Sequence, residues 1–251
     1  MDFNVLKSTQ FKVKEISVVT KTGDALDISE MYEELSIFDS MFSPVITGNI
    51  LVTDSVGLSS KLYFDGSEAL LLHIAKDENS EIAEFKKAFR IYKQSERKDS
   101  GLNSETYVLY FVSDELFFSD QQRINQSFQS TYSGVAEKIL LNYLSVPENN
   151  LGGIFDVSYG IRDIKIPNLR PLEALEWCAK RAVDINQAPN FLFFQNLTGY
   201  NFASLSSLLT EDELLDIKFE PKNSKQGNSL TEISTARAFE VISQEIGRAH
   251  V

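Results

Sequence analysis

Glu173 and Glu176, one helical turn apart, come nearest in this chain to a catalytic pair. Residues at i and i+3 share a helix face. Two carboxylates so placed could divide general-acid and general-base roles, as glycoside hydrolysis requires. Asp156 and Asp163 upstream complete the set from which a hydrolytic pair could be drawn. The carboxyl groups of such a pair would stand about 5–10 Å apart in an open cleft. Lys180 and Arg181 follow closely, so this stretch reads better as a solvated, salt-bridged face. Cys178 lies beside Trp177 with no histidine near it in sequence, the setting of a buried structural thiol rather than an activated nucleophile. His73 falls in an apolar strand and His250 near the C-terminus, and neither has the neighbours of a metal set. Leu151-Gly152-Gly153 lacks the downstream glycine and the Lys-Ser/Thr pair of a phosphate-binding loop. The reading assigns no catalytic, cofactor-binding or metal-ligating residue, implies no cofactor, and expects a protein that is not an enzyme.

Composition narrows the partners. The 251 residues suffice for one large or two ordinary domains, with 36 acids against 24 bases and a net charge of -12. That balance excludes wrapping a nucleic-acid backbone, where affinity comes from neutralising phosphates. It equally disfavours an anionic membrane surface. The longest apolar run, ALLLHIA at 69–75, is far short of the ~20 residues that span a bilayer. The N-terminal MDFNVLKSTQFKVKEIS lacks the basic-then-apolar order of a signal peptide. A single cysteine forms no internal disulfide and suits synthesis in a reducing cytoplasm.

The elements that must position these residues change character midway. FKVKEISVVT (11–20) places Phe11 and Val13 on one face and Ile16 and Val18 on the other, the phase switch of a bulge. Strand patterns recur at 31–38, at 49–54 and at 68–74, where Leu70, Leu72 and Ile74 take the core face. Two longer strands follow at 85–93 and 105–113, the second apolar on both faces. The polar 95–104 stretch reads as an exposed hairpin loop between them. Six or so strands in about 115 residues, with no helix-length segment between, predict an antiparallel barrel or sandwich.

Beyond a polar boundary near 123–132 the period becomes helical. Val135, Ile139, Leu140, Tyr143 and Leu144 form one stripe, ended by Pro147. A second helix opens on Pro171, with Leu172, Leu175, Ala179 and Ala182 inward and Glu173, Glu176, Lys180 and Asp184 outward. FLFF (191–194), a turn at 196–199 and YNFASL (200–205) predict a hairpin, and a last strand is expected near 214–219. The predicted class is α+β and β-rich. An N-terminal antiparallel β-barrel (1–125) precedes a smaller α+β subdomain with two helices and an aromatic hairpin (126–220), then the start of a truncated further domain (221–245). The final EIGRAHV (245–251) back-translates, with suitable codons, to the start of a widely used short-read sequencing adapter. The expectation is that 246–251 are not native protein sequence.

In order and spacing, several segments resemble the baseplate hub proteins of contractile-tailed bacteriophages. LSIFDSMFSPVITGNILVTDS (35–55) resembles the family's strand, aromatic-Ser-Pro turn and Thr-Gly opening of the next strand, which ends in Asp-Ser. GLSSKL (57–62) and GSEALLL (66–72) are similar to the loop, short helix and strand that follow. TYVLYFVSDEL (106–116), RINQSF (123–128), the Pro-led helix within 166–182 and YNFASLSSL (200–208) complete the match, over roughly 10–220. Type VI secretion spike proteins share the helix-then-hairpin plan more distantly. The resemblance implies a tail-tube-like barrel and a homotrimer whose ring joins the tail tube to the central spike, with baseplate wedge proteins as further partners. It also implies DNA passing through the lumen without specific binding, no membrane anchor, and residence in the virion baseplate after assembly in the host cytoplasm. The alternatives are a tail-associated receptor- or carbohydrate-binding module, which would show an exposed aromatic platform, and a cell-wall hydrolase.

Overall fold

A computed structural model describes residues 11–58, 66–76, 85–101, 104–147, 151 and 153–210. Lys12–Glu211 form one compact unit. Seven strands make its main sheet: β1 (Phe11–Val19), β2 (Ala25–Asp27), β3 (Tyr32–Phe38), β4 (Thr47–Asp54), β5 (Ala69–Lys76), β6 (Phe85–Gly101) and β7 (Ser104–Ser113). Their order is β2-β1-β5-β6-β7-β4-β3, and the sheet curls into a half-barrel.

Alternation builds its interior. Along β4, Ile50 and Val52 are fully buried while Asn49, Leu51 and Thr53 are half-buried, the two-residue period of a strand with one core face. Leu70 and Leu72 on β5, Phe89 and Ile91 on β6, and Tyr107, Leu109 and Phe111 on β7 complete the cluster. Each such side chain contributes about 1.5–3 kcal/mol through burial. Val13, Ile16 and Val18 all pack into this cluster, although 13 and 16 are out of phase. Ile74 is only half-buried, whereas Ala75 beside it is buried.

The expected barrel is therefore observed as a half-barrel, for a local reason. The edge strands β2 and β3 are joined by residues 28–31, where Met31 and Tyr32 N–H groups turn back onto Ile28 O, and Met31 O accepts from Thr53 on β4. A three-residue β2 and this tight turn leave no ladder between the two edges. Nor are the described residues of the polar 95–104 stretch, 95–101 and 104, a loop. β6 and β7 stay paired out to Gly101 and Ser104, with register shifts between Ile91 and Lys93, Ser95 and Lys98, and Asp99 and Gly101. Arg97 bridges to Glu105 across this arm at 2.7 Å, so charged cross-strand pairs replace apolar ones there.

The remaining elements are α1 (Glu115–Asp120), β8 (Ser127–Ser130), α2 (Tyr132–Asn142), β9 (Arg162–Lys165), α3 (Pro171–Ala179), β10 (Phe191–Asn196), β11 (Gly199–Ser204) and α4 (Leu205–Thr210). Both expected helices are present. Thr131 caps α2 by accepting from Gly134 N–H, and α2 ends at Asn142, five residues before Pro147; Ser145 turns the chain at φ 52°. Pro171 opens α3, where the Glu173 carboxylate accepts from Arg170 N–H at 3.0 Å. Val135, Ile139 and Leu140 meet Leu172, Leu175 and Cys178 in a second core with Phe191, Phe193, Tyr200 and Phe202. The expected hairpin pairs β10 with β11 through a two-residue turn in which Asn196 Oδ1 accepts from both Thr198 and Gly199 N–H.

The polar stretch expected as a boundary is structured: Ile124 bridges Leu169, and β8 pairs with β9. Asp184 does not face outward. It is 8% exposed and closes a turn by accepting from Ala188 N–H at 2.9 Å. The strand expected near 214–219, the segment 221–245 and the terminal 246–251, His250 included, lie outside the described residues, as do most of 57–62.

Candidate functional site

The four acids weighed for hydrolysis have separate local duties. Glu173 caps α3, and Glu176 pairs with Lys180 at 3.7 Å. Asp156 accepts from Ser204 N–H at 2.7 Å and from the Ser207 hydroxyl at 3.3 Å, fastening the loop before β9 to the end of β11. Asp163 sits exposed on β9 opposite Gln129. His73 is half-buried on β5 opposite Lys86. Among the described residues no three His, Cys, Asp or Glu side chains are grouped to hold a metal. Cys178 is fully buried, and burial pushes its thiol up to about 12 although Arg181 pulls the other way. The thiolate is the reactive form. Cys178 in the native protein is therefore expected to resist thiol-specific reagents at pH 8 and to react fully in denaturant, as a chromogenic thiol assay would show.

Charge instead concentrates where the half-barrel core meets the second core, at the short helix α1. Lys87 on β6 is in phase with the core residues Phe89 and Ile91, yet it is a lysine. Its ammonium stands 5.7 Å from the Phe89 ring centre and 5.8 Å from that of Tyr200 on β11, and 3.4 Å from Glu115 Oε1 at the start of α1. Burial lowers the Lys87 pKa, opposed by Glu115 and Asp114. Burial and then the Glu115 charge hold the Tyr200 phenol well above its ordinary value, and neither its hydroxyl nor Glu115 Oε2 completes a well-formed hydrogen bond. Asp114 holds Arg90 at 2.8 Å, Ser119 accepts from Leu172 N–H at 3.0 Å, and Asp120 holds Arg170 at 3.0 Å.

A second tie runs parallel to α1. Gln195 on β10, 1% exposed, accepts through Oε1 from Ile46 N–H at 3.1 Å and from the Ser113 hydroxyl at 2.6 Å, while Gln195 N–H donates to Ser43 O at 3.2 Å. Sequence reading missed all of these residues. The one legible signal was Lys87 itself, a charge at an inward position of an alternating strand. Gln195 and α1 carried none, since their partners lie 149 and 53 residues away.

The half-barrel has two free sides, β2 and the longer β3. Beyond β4, nothing among the described residues pairs with it. It runs into an exposed turn with Phe38 56% and Phe42 77% accessible. Unpaired strand edges are templates for another chain.

These features define a β-rich protein, a half-barrel sheet tied to a small α+β core. No protein-family model matches the chain, and no curated protein matches its sequence. Solved structures with a similar fold are phage tail proteins and type VI secretion components. A tail protein from Neisseria meningitidis MC58 is 15% identical over 78% of this chain and 52% of its own, with a TM-score of 0.42. Prophage tail protein gp18 from Listeria monocytogenes EGD-e is 9% identical over 84% and 56%, with a TM-score of 0.46. The E. coli c3393 protein, a type VI secretion component, is 10% identical over 77% and 48%, with a TM-score of 0.39. The chain spans about half the length of each.

Proposed function

We propose that this chain is a structural baseplate hub subunit of a contractile phage tail, forming a homotrimeric ring between the tail tube and the central spike. One observation carries the reading: the 35–55 segment, which resembles the hub family, forms most of β3, its exposed turn and β4, at one of the two open edges of the half-barrel. A ring needs such an edge on every copy, and it needs copies that behave as rigid blocks. The polar ties around α1 and Gln195 supply that rigidity, joining a barrel-like part (1–125) to an α+β part (126–220). Mechanics of this kind needs complementary surfaces rather than reactive groups, and wedge proteins would pack around the ring in the virion. The charge of -12 suits a lumen along which DNA slides, because repulsion prevents sticking.

The test is assembly. Sedimentation of the purified chain, alone and with tail-tube and spike proteins, is expected to show trimers and rings in electron micrographs of the mixtures. Monomers at every concentration, with no ring in any mixture, would sink the reading.

A further inference from the structure

We infer that the β3 edge receives an extended segment of another protein, a strand whose side chains alternate between apolar and basic. The inference rests on the hub reading and goes further by naming what seats on that edge. Each copy in a ring offers one such seat.

The backbone fixes where a strand can add. Thr53 N–H donates to Met31 O at 2.8 Å, so the odd-numbered residues of β4 turn their backbone groups toward β3. Their partners across the ladder are Glu34 for Leu51, Ser36 for Asn49 and Phe38 for Thr47. Leu35 and Ile37 therefore point N–H and C=O to the free side, where no strand among the described residues pairs with β3. Strand edges in folded proteins are commonly guarded by lysine, proline or a bulge. β3, YEELSIF, contains neither residue, and its register shift lies at its start, between Tyr32 and Glu34. Residues 34–38 are thus a regular, unguarded template.

Side chains set what the added strand must carry. Leu35 and Ile37 pack against the half-barrel core yet stay half-buried. An added strand places alternate side chains beside them, and apolar ones there extend that core. The opposite face holds Glu34, Ser36 and Phe38, the last 56% exposed, with exposed Asp39 directly after. Charge is of one sign over a long stretch here. Residues 22–60 contain seven acids and no lysine or arginine, in a chain with 24 bases. Six of the seven are exposed, and β7, the strand beyond β4, holds Glu105 and no base either. Glu33, Glu34 and Asp39 form no ion pair among the described residues. Basic side chains on the outer face of an incoming strand meet this field favourably, and acidic ones are repelled.

Neither open edge of the half-barrel in a second copy supplies that strand. β2 (Ala25–Asp27) is three residues long, ends in an acid and lies in the same acidic stretch. Edge against edge would set like charges together, which is strongly disfavoured. The occupant is a different protein.

Blocked peptides alternating lysine with valine, and glutamate with valine, are the probes, and amide hydrogen exchange is the readout. The outward N–H groups of Leu35 and Ile37 are expected to exchange freely in the chain alone and to become protected when the lysine peptide is added. That peptide should bind at least about tenfold more tightly than the glutamate one, an advantage that shrinks with added salt. The lysine peptide with every backbone nitrogen methylated keeps its charge and should give no protection. Ile37→Pro removes an outward N–H without touching the β4 ladder, and should abolish binding while the melting temperature checks the fold. Equal binding of the two peptides would mean that charge does not choose the occupant. Undiminished binding of the methylated peptide would mean ionic adhesion rather than strand addition. Either result overturns the inference. So does protection of Leu35 and Ile37 in the chain alone as its concentration rises, which would make a second copy the occupant. A lysine peptide that does not bind overturns it too, and leaves the hub reading standing where the chain still forms rings with tube and spike proteins. Rings that never form, beside a peptide that binds as expected, fail the hub reading instead.

Discussion

Gly48→Ala is expected to lower stability by about 2–3 kcal/mol, a large loss for one methyl group. Gly48 sits on β4 between Ile37 of β3 and Phe111 of β7. A Cβ there would fall onto the Phe111 ring and 2.5 Å from the carbonyl oxygen of Ser36. Neither can yield easily. Phe111 is fully buried, with its ring centre 5.0 Å from that of Phe89, and Ser36 is backbone within the β3–β4 ladder. Overpacking of this kind costs about 1–3 kcal/mol, occasionally more. The cause can be isolated by also making Phe111→Leu, which shortens the ring that the methyl strikes. In urea unfolding, the double variant should be less destabilised than the sum of the singles by about 1 kcal/mol, the coupling expected of residues in contact. Additivity within about 0.5 kcal/mol would place the strain at Ser36 instead. In that case Gly48→Ala should loosen the β3 edge and weaken assembly as well as folding.

That glycine shows how far the sequence could be read. The Thr-Gly opening of β4 was visible as a pattern, and so were the strands on either side. The reason for a glycine was not, because Phe111 lies 63 residues further on and only the β4–β7 register brings the two together. Local periodicity carried the elements well. Leu70 and Leu72, Phe89 and Ile91, the α2 stripe, the Pro-led α3 and the aromatic hairpin all follow from spacing two or three to four residues apart. Reading failed where polar residues form structure through partners distant in the chain. The 95–104 stretch looks like a loop because its side chains are charged, yet residues 95–101 belong to β6, which pairs with β7, and Arg97 pairs with Glu105. Ser127–Ser130 looks like a linker but is a strand, because β9 lies 32 residues beyond it to complete the ladder. Asp184 looks like a solvated helix position, but the helix has ended and the carboxylate closes a turn.

The surfaces were less legible still. Arg181 and the acids near it were read as one salt-bridged helix face, yet among the described residues Lys180 pairs with Glu176 while Arg181 lies over Trp177. A charge count cannot separate a paired lysine from an unpaired arginine one residue on. The half-barrel's open edge is equally silent in sequence. β3 lacks a clean two-residue period, with a register shift between Tyr32 and Glu34, and what makes it an edge is that among the described residues only β4 pairs with it.

Glu115→Ala is expected to cost about 2 kcal/mol at pH 7, and the deficit should shrink as pH rises. Removing one partner of a buried ion pair typically costs 3–5 kcal/mol, because the other charge is left buried and unpaired. The side chains of Lys87 and Glu115 are about a fifth exposed, at 20% and 18%, and Asp114 remains nearby, so the lower figure applies. The pH dependence follows from Lys87. Its folded-state pKa lies below the ordinary 10.5 because burial outweighs the attraction of Glu115. Between its folded-state and ordinary values the unfolded chain binds more protons than the native one, so stability rises with pH across that window. Taking away Glu115 removes the largest opposing influence, which lowers the Lys87 pKa further and widens the window toward neutrality. At pH 9, below the range where Tyr200 ionises, Glu115→Ala should lie closer to the parent than at pH 7. Replacing the pair together, Lys87→Met with Glu115→Leu, should leave stability within about 1 kcal/mol of the parent or raise it, since well-packed apolar substitutes often equal a buried ion pair. Denaturant midpoints for the three chains at the two pH values decide the matter. If the double variant proves as unstable as Glu115→Ala, the pair is supplying more than charge balance at α1. The Tyr200 hydroxyl and Glu115 Oε2 would then be the atoms to examine, because they are the buried polar atoms the pair leaves without a well-formed hydrogen bond.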